Sequence, residues 1–141
     1  MKKLPGKATA NRKIYRLLFV CWSILLFSLT SYPKLPSPSV GIISFDKLAH
    51  LFFYFIFAWF FVKMHDPGKL RLTLRKTLIL ALIVPLLDEL HQIPIPGREF
   101  SVWDIAADLL GFALVLLIFR IKLEQSGQTK PLRVDDHCAK R

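Results

Sequence analysis

Acidic, basic and amide side chains interrupt the apolar stretches of this sequence in three groups. The first group opens an aromatic-rich stretch, the second closes the next apolar stretch, and the third leads into the last one. The candidate ligand-binding or polar-network residues are Asp46, Lys47, His50, Asp88, Glu89, Gln92, Arg98, Ser101, Asp104 and Asp108. Ionisable groups in an apolar setting are costly and mark ligand, proton or ion sites. These residues therefore form the candidate functional site.

The polar residues within each group recur four positions apart. Residues at that spacing share one face of an α-helix. Each group therefore predicts a polar stripe at one end of a helix, and Tyr54 continues the first stripe inward. The pairs are Asp46 and His50, Asp88 and Gln92, and Asp104 and Asp108.

Two of these acids also have a purely structural interpretation. Asp46 and Asp104 fall near predicted helix N-termini, where a carboxylate complements the helix dipole. Ser101 with Asp104 three positions later resembles a capping box. That interpretation fails for Asp88 and Glu89, which approach a helix C-terminus. They require a cation, a shared proton or a metal.

Several catalytic and metal-binding patterns were compared with these groups. Asp88 and Gln92 replace both histidines of the zinc-binding H-E-x-x-H pattern, so we predict no zinc site and no cofactor. Magnesium or calcium suits clustered carboxylates better, and that alternative stays open. Ser101 with His50 as base lacks the G-x-S-x-G motif of many serine hydrolases.

The composition of the chain indicates a membrane protein. It has 141 residues, 53% of them hydrophobic, and a formal charge of +10. Its mean hydropathy of +0.42 excludes intrinsic disorder and exceeds what a soluble domain of this size can bury. Basic residues border membrane segments in such chains. We therefore expect membrane lipids, and no nucleic acid, as partners.

Apolar stretches near the bilayer-crossing length of about 20 residues predict an all-α, four-transmembrane-helix bundle. The predicted spans are 14–31, 46–64, 73–92 and 103–121. The third is uninterrupted only from Thr77 to Leu87, so its charged ends must enter the membrane. The predicted organisation is a basic cytoplasmic arm at 1–13, a membrane domain at 14–122 and a polar cytoplasmic tail at 123–141.

The distribution of basic residues predicts the orientation. Of the 20 Lys and Arg residues, all but Lys34, Lys47 and Arg98 fall on one side of the predicted membrane. Cytoplasmic segments retain basic residues, so both termini are predicted to be cytoplasmic. The first span also resembles a secretory signal peptide, but it lacks a small-residue cleavage site, and we expect it to be retained.

The three polar groups are predicted to lie at one depth. Asp88 follows Lys76 by 12 positions and Asp108 precedes Arg120 by 12, each about 18 Å at the helical rise. His50 is at a similar distance from the basic end of its own helix. With the basic residues at the cytoplasmic edge, the three groups meet in the outer half of the membrane. The sequence thus predicts an acid-rich pocket that opens outward.

The motifs together resemble those of the VanZ-like family of small bacterial membrane proteins. They are D-K-x-x-H at 46–50, D-E-x-x-Q at 88–92, P-G-R at 96–98 and S-x-x-D-x-x-x-D-x-x-G at 101–111. The resemblance covers about residues 45–111. It implies a multi-pass protein of the bacterial cytoplasmic membrane. The family's namesake is associated with low-level resistance to the glycopeptide teicoplanin, but the resemblance implies no particular reaction.

The leading functional hypothesis is that the pocket binds an anionic envelope or lipid-linked group, such as a cell-wall precursor. Arg98 and Lys47 would engage the anion, while Asp88, Glu89 and His50 set the protonation of the pocket. One alternative is a membrane-embedded hydrolase or transferase acting on a lipid phosphate with carboxylate acid/base or metal chemistry. Another is a network that only packs the helices together.

Overall fold

The computed structural model describes residues 7–33 and 45–128, and within them the secondary structure is entirely helical. The elements are α1 (Lys7–Thr30), α2 (Phe45–Lys63), a 3₁₀ turn at Pro67–Lys69, α3 (Leu70–Gln92) and α4 (Val102–Gln128). This confirms the all-α prediction. Residues 1–6 of the predicted arm and 129–141 of the predicted tail lie outside the described residues.

Three of the helices are long and apolar enough to cross a membrane. The qualifying segments are Ala10–Thr30, Phe45–Lys63 and Val102–Gln125. They correspond to the first, second and fourth predicted spans. Helix α3 is not among them, although its 23 residues would extend about 35 Å. Basic residues in its first two turns and two acids near its end lower its hydropathy.

Helices α2 and α4 make the closest packing in the fold. A Cβ atom placed on Gly111 would lie 2.6 Å from the carbonyl oxygen of Leu51 and 2.8 Å from the amide nitrogen of Phe55. Because glycine lacks that atom, the two backbones can touch. Gly111 is therefore a point of backbone contact, and it brings the acids of α4 against α2.

Aromatic side chains attach α1 to α2. The Phe19 ring packs against Phe57 and Phe61, with centroids 4.9 and 5.6 Å apart. The Trp22 Nε1–H donates to the carbonyl oxygen of Phe53 at 3.0 Å. The helices also share an apolar core. Its buried members are Leu26, Tyr54, Phe57, Ala58, Val62, Ala81, Phe112, Val115 and Phe119.

Helix α3 has two contrasting faces. Its buried face is formed by small or polar residues, which are Thr73, Thr77, Ala81, Pro85, Asp88, Glu89 and Gln92. Its opposite face exposes large aliphatic side chains, which include Leu78, Ile79, Leu82, Ile83, Leu86, Leu87 and Leu90. Pro85 is buried inside the helix, and α3 continues through it to Gln92. The charged residues near the C-terminus are thus directed into the protein.

Candidate functional site

Hydrogen bonds between buried side chains join the polar ends of α2, α3 and α4. His50 Nδ1 on α2 lies 3.0 Å from Asp108 Oδ1 on α4. The Tyr54 hydroxyl donates to Asp88 Oδ2 on α3 at 2.8 Å, and the Gln92 amide donates to the same oxygen at 3.2 Å. All five side chains are buried. The sequence-based prediction that Tyr54 extends the network inward is confirmed.

The N-terminus of α4 carries a second part of the site. Lys47 Nζ donates to Asp104 Oδ1 at 2.8 Å, and Ser101 Oγ accepts from the Asp104 backbone N–H at 3.3 Å. Ser101 thus caps the helix as predicted. Asp104 is not only a capping residue, because its carboxylate binds a lysine on a neighbouring helix. The half-buried Lys47 is directed into the site rather than into solvent.

Glu89 connects the C-terminal end of α3 to the same cap. Its Oε2 accepts from the Ser101 backbone N–H at 2.8 Å. In a complete capping box, the side chain three residues after the cap accepts from that N–H. Here Glu89 replaces Asp104 in this role, which leaves Asp104 for Lys47. The exchange fixes α3 against the beginning of α4.

Two buried carboxylate oxygens have no hydrogen-bond partner among the described residues. They are Glu89 Oε1 and Asp108 Oδ2, and both residues are completely buried. A buried polar atom without a partner costs about 1–3 kcal/mol. Their presence in one cluster indicates that the site binds something beyond its own side chains, whether a proton, a water, an ion or a ligand.

The geometry would also permit a metal ion. The part of the chain that the structure describes contains two groups of three possible metal ligands. One is His50 with Asp88 and Asp108, and the other is His50 with Glu89 and Asp104. Within each group, the ligand atoms lie within 4.8 Å of one another. All are buried. His50 belongs to both groups and is therefore the centre of the cluster.

Arg98 is the candidate residue that the structure places away from the carboxylates. Its Nη2 donates to the carbonyl oxygen of Leu29 at 3.1 Å and its Nε to that of Tyr32 at 3.3 Å. Gly97 precedes it with φ 77°, a left-handed conformation that reverses the chain. The guanidinium thus satisfies carbonyls at the C-terminal end of α1, where the helix dipole favours a cation.

A cavity of about 470 Å³ lies between α1 and α2 beside this cluster. Its apolar walls include Leu26, Leu29 and Phe53, and its polar groups include His50 and Arg98. Asp46 and Tyr54 also line it. The cavity therefore combines an apolar interior with polar groups of both signs.

The contribution of α1 was not predicted from the sequence. Leu26, Leu29 and Thr30 look like ordinary residues of an apolar span, and nothing in their types marks a cavity wall. The sequence feature that could have indicated a contact with α1 is Arg98, the basic residue after the Pro96-Gly97 turn. A cation at that place can cap a neighbouring helix as well as bind an anion.

The structure therefore gathers most of the predicted residues and separates one of them. The bonds described above form three sets within the cluster: His50 with Asp108, Asp88 with Tyr54 and Gln92, and Asp104 with Lys47, Ser101 and Glu89. Asp46 lines the adjoining cavity. Arg98 reaches the cavity from the side of α1. Ligand binding by these residues stays a prediction.

Comparison with known proteins adds two similarities. The sequence model of the VanZ/LLP1 family matches residues 7–123. An uncharacterised protein of Schizosaccharomyces pombe, C11E3.10, is 31% identical over 109 residues, which are 77% of this chain and 64% of that protein. The chain thus spans less than two thirds of that relative's length. No solved structure matches the chain.

Proposed function

The chain belongs to the VanZ/LLP1 family, and from this premise we propose that it is a four-span membrane protein that binds a lipid-linked anionic group. The binding site is the cavity between α1 and α2. The proposed location is the bacterial cytoplasmic membrane, with both termini in the cytoplasm and the cavity in the outer half of the bilayer.

Helix α3 is proposed as the fourth span because its exposed face is aliphatic. Leu82, Leu86 and Leu87 on that face are 65%, 45% and 58% exposed in the isolated chain. Asp88 and Glu89, which lower its hydropathy, are buried against the other helices. A helix that hides its acids and exposes its leucines is suited to lipid contact on that side.

The proposed orientation is supported by interactions at the basic end of the bundle. Arg12 lies 3.5 Å from Asp66, which joins the N-terminal end of α1 to the connection between α2 and α3. Lys63 Nζ lies 5.6 Å from the Trp59 ring centroid at the same end. This basic end is opposite the acidic site along the helices. Basic residues favour the cytoplasmic side.

The observation that carries the proposal is the combination of groups that line the cavity. Leu26, Leu29 and Phe53 offer contact to an acyl or isoprenoid chain, while Arg98 offers a cation at the margin. The Nη1 atom of Arg98 is not used in the two bonds to the carbonyl oxygens of Leu29 and Tyr32. The guanidinium fork is suited to a phosphate. An amphiphile with an apolar tail and an anionic head matches this lining.

The test compares a fluorescent polyprenyl phosphate with the corresponding polyprenol, both titrated into protein in detergent micelles. We expect the phosphate to bind at least about tenfold more tightly, a difference of about 1.4 kcal/mol. Ala49→Leu, which adds volume in the cavity wall, should weaken binding of both compounds. Ala113→Leu, at an exposed position on α4, is the matched control and should not.

Equal affinity for the two compounds would contradict an anionic ligand. Unchanged binding by Ala49→Leu would place the ligand elsewhere. In cells, the expected consequence of the proposal is a change in teicoplanin susceptibility when the protein is expressed. The family resemblance alone supports that choice of assay.

A second function, an enzyme acting on a lipid phosphate, is favoured by one observation. Glu89 Oε1 is buried and has no partner in the described part of the chain. It belongs to a cluster that includes His50, and His50 also lines the cavity. Such a carboxyl group is placed to take or give a proton during hydrolysis or transfer. Glu89→Gln should then abolish turnover of a lipid phosphate while retaining its binding. Turnover that survives this change would exclude Glu89 as the acid or base.

A further inference from the structure

We propose that His50, Asp88 and Asp108 form a binding site for a divalent transition-metal ion. The three side chains come from three different helices, all are buried, and each offers a ligand atom within 4.8 Å of the others. The proposal does not depend on the cavity ligand, because it concerns the ion alone.

The distance between His50 and Asp108 matches that of neighbouring ligands. Nδ1 and Oδ1 are 3.0 Å apart. Two donors at right angles on one ion, each bound at about 2.1 Å, are also about 3 Å apart. A metal can therefore replace the hydrogen bond between them with little movement. Oδ2 of Asp108 is buried and has no hydrogen-bond partner in residues 7–33 and 45–128, so this carboxylate has further capacity to coordinate an ion.

Asp88 is held in position by donors that leave one of its oxygens for the ion. Tyr54 and Gln92 both donate to Oδ2, and neither of these bonds uses Oδ1. Such outer hydrogen bonds orient metal-binding carboxylates in known sites. The hydrogen bonds to Asp88 therefore fix its carboxylate and leave Oδ1 free of them for the ion.

The distribution of charge distinguishes this group from its neighbour. In the group of His50, Glu89 and Asp104, Lys47 already supplies a cation to Asp104 at 2.8 Å. Around Asp88, the hydrogen-bond donors described above are neutral, and the side chain that bonds Asp108 among the described residues is His50. A divalent ion would compensate these two carboxylates and remove the cost of burying them together.

The ligand set defines the chemical class of the ion. One imidazole nitrogen with two carboxylates suits Mn²⁺ or Zn²⁺ better than Ca²⁺, which takes oxygen ligands. Water or a ligand anion would complete the coordination. His50 and Tyr54 also line the cavity, so a bound ion would bring positive charge toward a lipid-linked anion.

The test uses the full chain in detergent micelles, first treated with EDTA and then equilibrated with Mn²⁺ or Zn²⁺ alone. We expect about one tightly bound ion per chain by elemental analysis. Electron spin echo measurements on the Mn²⁺ form should show coupling to an imidazole nitrogen. Asp108→Asn and, separately, Asp88→Asn should each weaken binding at least about tenfold. Glu99→Gln, which alters an exposed acid beyond α3, is the control and should bind normally.

Three results would overturn the proposal. The first is no metal retained by the wild-type protein after gel filtration. The second is normal retention by both Asp variants. The third is an Mn²⁺ signal without nitrogen coupling. Because the wild-type measurement needs no variant, a failure of either substitution to fold leaves the proposal testable. Lipid binding measured in the presence of EDTA distinguishes failure of the metal proposal from failure of the cavity proposal.

Discussion

At the scale of single residues, the site depends on pairs in which a buried carboxylate has a specific donor. Asp88 shows this most clearly, since Tyr54 and Gln92 both donate to one of its oxygens. A donor lost from such a pair leaves part of the carboxylate unsatisfied in a dry environment. Each bond should therefore contribute measurably to the stability of the bundle.

The first prediction concerns the hydroxyl of Tyr54. Tyr54→Phe keeps the ring, which packs against Phe112 and Phe57, but removes the bond to Asp88. We expect a loss of about 1–3 kcal/mol in the free energy of unfolding. Unfolding in detergent micelles provides the measurement, with Tyr32→Phe, at a side chain that is 62% exposed, as the control. Equal stability of the two variants would show that the hydroxyl bond contributes little.

The residues of this network could be predicted from the sequence better than their partners. The spacing of four within each group placed His50, Asp88 and Asp108 on inward faces, and their contacts agree with a shared depth. It did not predict that Glu89 would take over the N–H of Ser101. That exchange depends on how α3 and α4 pack, and local spacing along one helix carries no information about packing between two helices.

Arg98 illustrates the same limit. The sequence predicts that Arg98 engages an anion, whereas the structure directs it to the carbonyl oxygens of Leu29 and Tyr32. A long cation can reach either a carboxylate or the carbonyls of a helix C-terminus, and residue type does not distinguish them. The end of α1 receives it because α1 packs against both α2 and α3, a relation that the apolar sequence of α1 does not specify.

At the scale of elements, the site depends on the close approach of α2 and α4. Gly111 permits that approach, because its missing Cβ would fall within 2.8 Å of backbone atoms of Leu51 and Phe55. Backbone atoms cannot move aside as a flexible side chain can. Separation of these helices would also separate His50 from Asp108.

The second prediction is that Gly111→Ala forces α2 and α4 apart. Overpacking at such a contact costs about 1–3 kcal/mol, and we expect a loss of stability of that size. Gly68→Ala is the matched control, because its new Cβ would meet only Asp66 Oδ1 at 3.5 Å, an ordinary contact. Thermal unfolding of both variants in one detergent gives the comparison. A Gly111→Ala protein as stable as the control would contradict direct backbone contact.

Helix α3 explains why three helices, and not four, have the composition of a membrane span. Its buried face is polar because it serves the site, and its first turns are basic because they lie at one end of the bundle. Both features lower the hydropathy that span prediction depends on. The sequence indicated this helix from its uninterrupted apolar centre, Thr77 to Leu87, while the exposed aliphatic face on which its proposed span depends is visible only in the packed structure.

At the scale of the whole molecule, the proposed topology places the two ends of the bundle in different compartments. The basic end, with Arg12 and Lys63, would face the cytoplasm, and the acidic site would lie toward the outside. The proposal requires an even number of spans, so α3 decides whether both termini share one side.

The third prediction tests that topology with a membrane-impermeant maleimide on intact bacterial cells that express the protein. In a Cys21→Ser protein, Cys138 in the polar tail should react only after the membrane is opened. In a Cys21→Ser, Cys138→Ser protein, Glu99→Cys in the connection between α3 and α4 should react from outside. Labelling of Cys138, but not of Glu99→Cys, in intact cells would mean that α3 does not cross the membrane.

The central claim is that side chains from separate helices form one coupled site, and a double-mutant cycle on His50 and Asp108 tests it most directly. His50→Gln, Asp108→Asn and the double variant are unfolded in the same detergent. Groups in direct contact couple by about 0.5–3 kcal/mol, so the double variant should differ from additivity by at least about 0.5 kcal/mol. The control combines His50→Gln with Asp66→Asn, at a residue just beyond the opposite end of α2. The effects of these two changes on stability should be additive. Additive effects for His50 and Asp108 as well would contradict the existence of a shared site.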